Sequence, residues 1–157
     1  MRLMAGEALR WAATADHGIL GTLRDGEGPD LVPTCFAIDG NRLAIPVDRV
    51  KPKASPDLQR IRNLMGDQRA TLLVEGWDPV DWSRLWWARL RLEATAASPA
   101  DGGRLAELLR QRYPQYRTTP FERLLTFRIV EVTGWAASHA PIGAPPQDPP
   151  GREDTST

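Results

Sequence analysis

The 157-residue sequence contains few cysteines, histidines and lysines, and two of these shortages exclude a class of site. The single cysteine, Cys35, cannot form an intrachain disulfide. One cysteine and two histidines, His17 and His139, are too few for the usual tetrahedral zinc site. We therefore expect a fold that depends on neither disulfides nor zinc.

An excess of charge of one sign is also absent, because 20 Lys and Arg balance 20 Asp and Glu. Nucleic acids and anionic membrane surfaces both favour a basic excess, so the balance argues against both as partners. No apolar run approaches about 18 residues, and the first residues show no signal-peptide core. We expect no nucleic-acid partner, no membrane partner and a cytoplasmic location.

Common nucleotide-binding and catalytic motifs are missing as well. The sequence has neither GxGxxG nor GxxxxGK[ST], so nothing predicts a Rossmann or P-loop site. Cys35 is best interpreted as a buried, inert thiol, and His17 and His139 as structural or solvated. The paired acids Asp78 and Asp81 lie in a turn loop, where carboxylates usually cap or face solvent.

The pattern that is present predicts an α+β fold with six mostly antiparallel strands and three peripheral helices. Helical spacing of apolar residues predicts helices over 4–15, about 55–66 and 98–112. Alternation predicts strands over 19–24, 30–38, 42–48, 69–76, 85–97 and 124–135. The strands come in runs, which argues against a doubly wound parallel sheet. Pro33 and Pro46 inside strands mark bends, edges or bulges, as a closing barrel requires.

The end of the chain differs in composition from the rest. Five of the ten residues from Pro141 to Pro150 are proline, and the residues after them are polar or glycine. Such a segment cannot bury enough apolar surface to offset the entropy lost on ordering. We predict one domain over residues 1–138 and a disordered, proline-rich tail over 139–157.

A cationic cluster brackets the predicted start of the second helix. Its members are Arg49, Lys51, Lys53, Arg60 and Arg62, and they include the only two lysines among 20 cations. A helix N-terminus surrounded by cations suits an anion such as phosphate. The alternative is a solvated run of charge.

An aromatic cluster follows the fourth predicted strand. Four of the six tryptophans fall within eleven residues: Trp77, Trp82, Trp86 and Trp87. Tryptophans at this density serve a core, a dimer contact or the wall of a flat conjugated ligand. Taken together, the two clusters fit a phosphate-bearing ligand with a large planar ring, such as a flavin, a deazaflavin or a pyridoxal derivative.

Four runs of residues carry a further pattern: GPDLVPTCFA (28–37), VDRVKPK (47–53), LQRIRNL (58–64) and DWSRLWW (81–87). With YPQY at 113–116 and TGW at 133–135, these runs resemble the pyridoxamine 5′-phosphate oxidase-like flavin and deazaflavin superfamily. The closer resemblance is to its actinobacterial subgroup, the PPOX-class F420-dependent oxidoreductases. It covers residues 8 to about 137.

The resemblance implies a six-stranded split β-barrel, the FMN-binding split barrel, that works as a homodimer with two cofactor sites at the subunit interface. The implied ring contacts are Val32, Pro33 and Thr34, with Val47 and Asp48 beside the ring. The implied contacts to the phosphate or an anionic tail are Lys51, Lys53, Arg60 and Asn63. Asp81, Trp82 and Ser83 would come from the partner subunit and close the site.

The resemblance also implies an activity. The implied protein would be an F420-dependent oxidoreductase, which transfers hydride between the deazaflavin and a small planar or enone-like substrate. Because the cofactor carries the difficult chemistry, no catalytic side chain and no metal are expected. The alternatives are an FMN-dependent oxidase or reductase of the same class, and a protein that binds F420 or a tetrapyrrole without turnover.

Overall fold

Seven antiparallel strands form a single sheet in the computed structural model, which describes residues 1–47 and 59–138. The strands are β1 (Gly18–Arg24), β2 (Gly28–Thr34), β3 (Ala37–Asp39), β4 (Arg42–Val47), β5 (Arg69–Gly76), β6 (Trp86–Ala94) and β7 (Arg123–Ala136). Their order across the sheet is β2-β1-β5-β6-β7-β4-β3. The helices within those ranges are α1 (Ala5–Thr14), α2 (Gln59–Gly66), α3 (Pro99–Arg112) and α4 (Gln115–Thr118). None of these helices is long and apolar enough to cross a membrane.

The α+β class is confirmed, but the expected count of six strands is wrong by one. The predicted strand 30–38 is broken at Cys35 and Phe36 into β2 and β3. Phe36 is fully buried, and its backbone N–H donates to the Tyr113 hydroxyl at 3.3 Å. The same hydroxyl lies 3.2 Å from the Phe36 carbonyl oxygen, so a side chain replaces the strand partner at the break.

The break also explains why the sheet is curled rather than flat. β2 and β3 are the two edge strands, yet only two residues separate them along the chain. The edges therefore meet at this corner, although β2 and β3 are not paired. The sheet forms a barrel with a gap between its edges, which is a split barrel. Pro33 lies on edge strand β2, where its missing N–H costs no ladder bond, as the sequence predicts.

Most other elements match the sequence-based expectation. α1, α3, β1, β5 and β7 agree with it to within about two residues. The short helix α4 and a 3₁₀ turn at Trp82–Arg84 were not predicted. The predicted start of the second helix, at 55–58, and the predicted tail, at 139–157, lie outside the described residues.

The core fills the inside of the curled sheet. Large side chains with no exposed surface come from all parts of the barrel, including Leu20, Phe36, Leu43, Leu72, Leu90 and Phe127. α1 closes one side through Ala8 and Ala12, which are also inaccessible. A smaller second cluster joins Leu105 and Leu109 of α3 to Ala37 and Ala44 of the β3–β4 hairpin.

Trp86 belongs to this core, so one of the four clustered tryptophans has the core role that the sequence left open. Its ring meets Trp11 edge to face, with centroids 5.5 Å apart and planes at 89°. It also packs on Gly76, where an added Cβ would lie 2.0 Å from Nε1 of the indole. Only a residue without a side chain fits there, so the packing of Trp86 depends on that glycine.

The sheet has two distinct ends that matter for the site. At the loop end, residues 77–84 connect β5 to β6 near Thr34 and Ala136. At the α2 end, α2 leads into β5 near Arg24 and Ala94. β6 runs from one end to the other in nine residues, a span of roughly 27 Å.

Candidate functional site

α2 places two of the predicted phosphate contacts, Arg60 and Asn63, at the α2 end of the sheet. Buried Ile61 and Leu64 fix the helix on the barrel. Asn63 is itself 95% buried. Its Nδ2 donates to Oγ1 of Thr22 at 2.9 Å and to Oδ2 of Asp30 at 2.8 Å. Both amide hydrogens are thus already donated to protein groups, while Arg60 is half-buried.

The rest of the predicted phosphate group cannot be placed. Lys51 and Lys53 lie outside the described residues, as does Asp48, which the resemblance places beside the ring. Val47, the last described residue before them, is buried at the end of β4 and pairs with Arg123. Its carbonyl oxygen accepts a hydrogen bond from the Glu122 N–H at 3.0 Å. Val47 therefore lies toward the α2 end, as Arg60 and Asn63 do.

The three predicted ring contacts on β2 do not share one face of the strand. Val32 and Thr34 are half-buried on the inner face, where Val32 packs against the core. Pro33 alternates with them and is exposed on the outer face. The Thr34 hydroxyl donates to the Cys35 carbonyl at 3.0 Å. A single flat ring on one side of β2 would contact either Pro33 or the other two side chains.

Asp81, Trp82 and Ser83, which the resemblance implies would close the site from the partner subunit, form a hydrogen-bonded turn at the loop end. Oδ1 of Asp81 accepts from the Ser83 backbone N–H at 3.0 Å and from its hydroxyl at 2.6 Å. Oδ1 of Asp78 accepts from the N–H groups of Val80 and Asp81 at 2.9 and 3.2 Å. These backbone hydrogen bonds, more than the nearby Arg84, lower the pKa of Asp78.

This turn presents aromatic surface to solvent. Trp82 is 67% exposed and Trp77 is 57% exposed, with ring centroids 5.9 Å apart and planes at 48°. Trp77 belongs to the tryptophan cluster identified from the sequence but was not among the predicted cofactor contacts. Trp87, the fourth of that cluster, is half-buried on the outer face with the Arg89 guanidinium 5.7 Å above its ring.

One chain does not bring these groups together. Arg60, Asn63 and Val47 lie toward the α2 end, whereas Trp82 and its turn lie at the loop end. The length of β6 separates the two ends. A ligand that contacts both groups therefore needs a second chain whose loop end lies over the α2 end of the first.

The outer face of the sheet carries a groove of about 600 Å³ between the two ends. Apolar side chains from β2 and β7 line it, and Leu31 is 69% exposed there and Val130 53%. Charges of both signs line it as well: Arg69, Arg91, Glu93 and Glu131. Monomeric proteins seldom leave large apolar patches rimmed by polar groups uncovered.

Two polar atoms on the same face lack hydrogen-bond partners within the residues that the structure describes. They are Nε of Arg89 and Oγ1 of Thr133, which are inaccessible to solvent. The two residues face each other across β6 and β7. Buried polar groups are nearly always satisfied, so these two atoms are unusual among the described residues.

No family profile and no curated protein matches the sequence. Solved structures do match in fold. A conserved hypothetical protein from Mycobacterium tuberculosis has 18% identity and a TM-score of 0.65, covering 90% of this chain and 92% of its own. An FAD-binding protein from Mesorhizobium loti has 16% identity and a TM-score of 0.58, covering 85% and 93%. An F420 reductase has 19% identity and a TM-score of 0.51, covering 78% and 93%.

These matches cover nearly the whole described domain and place the chain in one fold class. It has the split-barrel fold of flavin- and F420-binding proteins. The split-barrel fold that the motif resemblance implies is thus confirmed.

Proposed function

We propose that the protein is an F420-dependent oxidoreductase. It transfers hydride between the deazaflavin and a small planar or enone-like substrate, in a site shared by two copies of the chain. The observation that carries the proposed shared site is that the predicted phosphate contacts Arg60 and Asn63 and the predicted contacts in the turn at residues 81–83 lie at opposite ends of one sheet. A two-fold rotation would bring the loop end of one chain to the α2 end of the other, creating two equivalent sites.

The outer face of the sheet is the surface proposed for this pairing. Exposed Leu31, on edge strand β2, and exposed Val130, on β7, supply apolar area in its groove. Arg91 and Glu131, which are register partners across β6 and β7, offer one positive and one negative charge. A face that carries both signs can complement itself across a two-fold axis. A second chain would also supply hydrogen-bond partners for Nε of Arg89 and Oγ1 of Thr133, which have none within residues 1–47 and 59–138.

In such a site the chain's own residues bind the cofactor and exclude water, and they take no part in bond making or breaking. F420, when bound, supplies the ring carbon that donates or accepts hydride. The proposed role of Arg60, Lys51 and Lys53 is to bind its phosphate and anionic tail by charge. Trp82 of the partner copy covers the ring and keeps water out, which strengthens electrostatic contacts inside.

An equilibrium titration with F420 and with FMN tests the proposal. The wild-type protein should bind F420 more tightly than FMN, and reduced F420 should be reoxidised by at least one member of a panel of enones and quinones. Tighter binding of FMN, or copurification of a yellow flavin species, would instead establish the FMN-dependent alternative. Tight binding of F420 without reoxidation by any panel member would favour a carrier.

A haem titration supplies the remaining comparison. Haem binding that excludes F420 would favour a tetrapyrrole-binding protein of the same fold. We expect no such competition, because none of the predicted cofactor contacts is a His, Cys, Met or Tyr that could ligate the haem iron.

A further inference from the structure

A hydrogen-bond network surrounds the buried side chain of Asn63 at the α2 end. Nδ2 of Asn63 lies 2.9 Å from the buried Thr22 hydroxyl and 2.8 Å from Oδ2 of Asp30. Its Oδ1 accepts from Nε2 of Gln59 at 2.8 Å, one helical turn earlier. The network thus connects α2 to both β1 and β2.

We propose that Asn63 is a positioning residue, held by Thr22 and Asp30, that sets the rotation of α2 and so the direction in which Arg60 faces. This inference rests on the proposed function, because it concerns the phosphate end of the proposed cofactor site. It differs from the direct contact that the motif implies, since the amide has no hydrogen left for a phosphate.

Apolar packing alone would leave the rotation of α2 loosely specified. Burial of Ile61 and Leu64 attaches the helix to the barrel, but the hydrophobic effect has no preferred direction. Hydrogen bonds do have one, and they weaken steeply when misaligned. A fully satisfied buried polar network therefore fixes one geometry. Arg60 and Asn63 are three residues apart on the helix, so fixing one fixes the other.

Substitutions at Asp30 separate the two roles, because the expected effects have opposite signs. If Asn63 contacted the phosphate directly, Asp30→Ala would free an amide hydrogen and remove a nearby negative charge, and anion binding would strengthen. If Asn63 positions α2, Asp30→Ala leaves a buried donor without a partner and binding weakens. Asp30→Asn retains an acceptor for the Asn63 amide and should preserve binding.

The experiment compares F420 with its phosphate-free deazariboflavin core on the full-length protein. We expect Asp30→Ala and the isosteric Thr22→Val to weaken F420 binding by about tenfold or more, and the phosphate-free core by less than about threefold. Asp30→Asn and Thr22→Ser should stay near wild type, as should Met65→Ala, an exposed change on α2. Thermal unfolding measured on each variant identifies any that fail to fold.

The possible results are distinct. Equal weakening of both ligands shows a merely structural network, and unchanged or tighter F420 binding in Asp30→Ala supports direct contact; either overturns the proposal. If the wild type binds no flavin or deazaflavin, the proposed function fails. Titration with inorganic phosphate then decides: weaker binding in Asp30→Ala but not in Asp30→Asn retains the positioning role, and any other result overturns it.

Discussion

The hydroxyl of Tyr113 lies within hydrogen-bond distance of both backbone groups of Phe36, 3.3 Å from the nitrogen and 3.2 Å from the oxygen. It also lies 2.9 Å from the Asp16 carbonyl oxygen. One side chain therefore holds the corner between β2 and β3, where the two edges of the sheet meet. The fully buried Phe36 side chain, covered by the Arg112 guanidinium at 4.7 Å, anchors the same corner.

Tyr113→Phe should destabilise the protein by about 1–3 kcal/mol, because the Phe36 N–H loses its acceptor in a partly buried place. Urea unfolding monitored by circular dichroism measures the change. A Tyr113→Phe protein as stable as the wild type would show that the hydroxyl is not needed at the corner.

The Tyr113 contribution should also depend on pH. Burial raises the pKa of the phenol above its usual 10.0, against smaller opposing effects from Phe36 and Arg112. Because the folded-state pKa is the higher one, this contribution is complete below pH 10 and is lost as pH rises through the folded-state value. The stability difference between wild type and Tyr113→Phe should narrow above pH 10. A difference that widens there would contradict this.

Gly76→Ala tests the packing of Trp86. The new Cβ would lie 2.0 Å from the indole nitrogen, so the ring must move. We expect a loss of about 1–3 kcal/mol in the free energy of unfolding, as for overpacked cores, and a red shift in tryptophan emission. Gly103 is exposed on α3, and no atom lies within 4 Å of a Cβ added there. Gly103→Ala should therefore be neutral or stabilising.

Leu31→Arg should convert the proposed dimer into a monomer and weaken cofactor binding with it. The side chain is 69% exposed on the outer face of edge strand β2, so the change should leave the fold of one chain intact. Light scattering after size exclusion should show 17.4 kDa for the variant and twice that mass for the wild type. Met4→Arg, an equally exposed site at the start of α1, should remain dimeric. A monomeric wild type would refute the shared site.

The double change Lys51→Ala and Lys53→Ala should weaken F420 binding strongly and leave folding nearly unchanged. Because charge attraction is screened by salt, the loss should be larger at low ionic strength. Titrations at two salt concentrations measure both effects. An unchanged dissociation constant would remove these lysines from the phosphate site.

Much of the fold could be predicted from local pattern. Alternation alone located β5 at residues 69–76, and Ser98 with Pro99 identified the start of α3. The break between β2 and β3 could not be predicted, because its cause is a side chain 77 residues away in sequence. Local alternation continues through Cys35 and Phe36 as if the strand were unbroken.

In the candidate site, too, contacts between residues distant in sequence could not be predicted from local pattern. The family resemblance implied that Asn63 contacts the phosphate together with Arg60. The partners that occupy the Asn63 amide lie 41 and 33 residues earlier, on β1 and β2. Trp86 and Trp82 are four residues apart and alike in sequence, yet one is core and the other is exposed. Their different burial follows from position: Trp86 begins β6 and packs on Gly76, whereas Trp82 lies in the connection beyond the end of the sheet.

The shared site is the central claim, and subunit mixing tests it most directly. A Lys51→Ala, Lys53→Ala chain and a Trp82→Ala chain should each bind F420 poorly alone. If each site takes its cations from one chain and its tryptophan from the other, every mixed dimer contains one intact site. Mixing the two variants equally should then restore about a quarter of the wild-type F420 sites. No recovery in dimers shown to be mixed would contradict the account, because a site built within one chain leaves none intact.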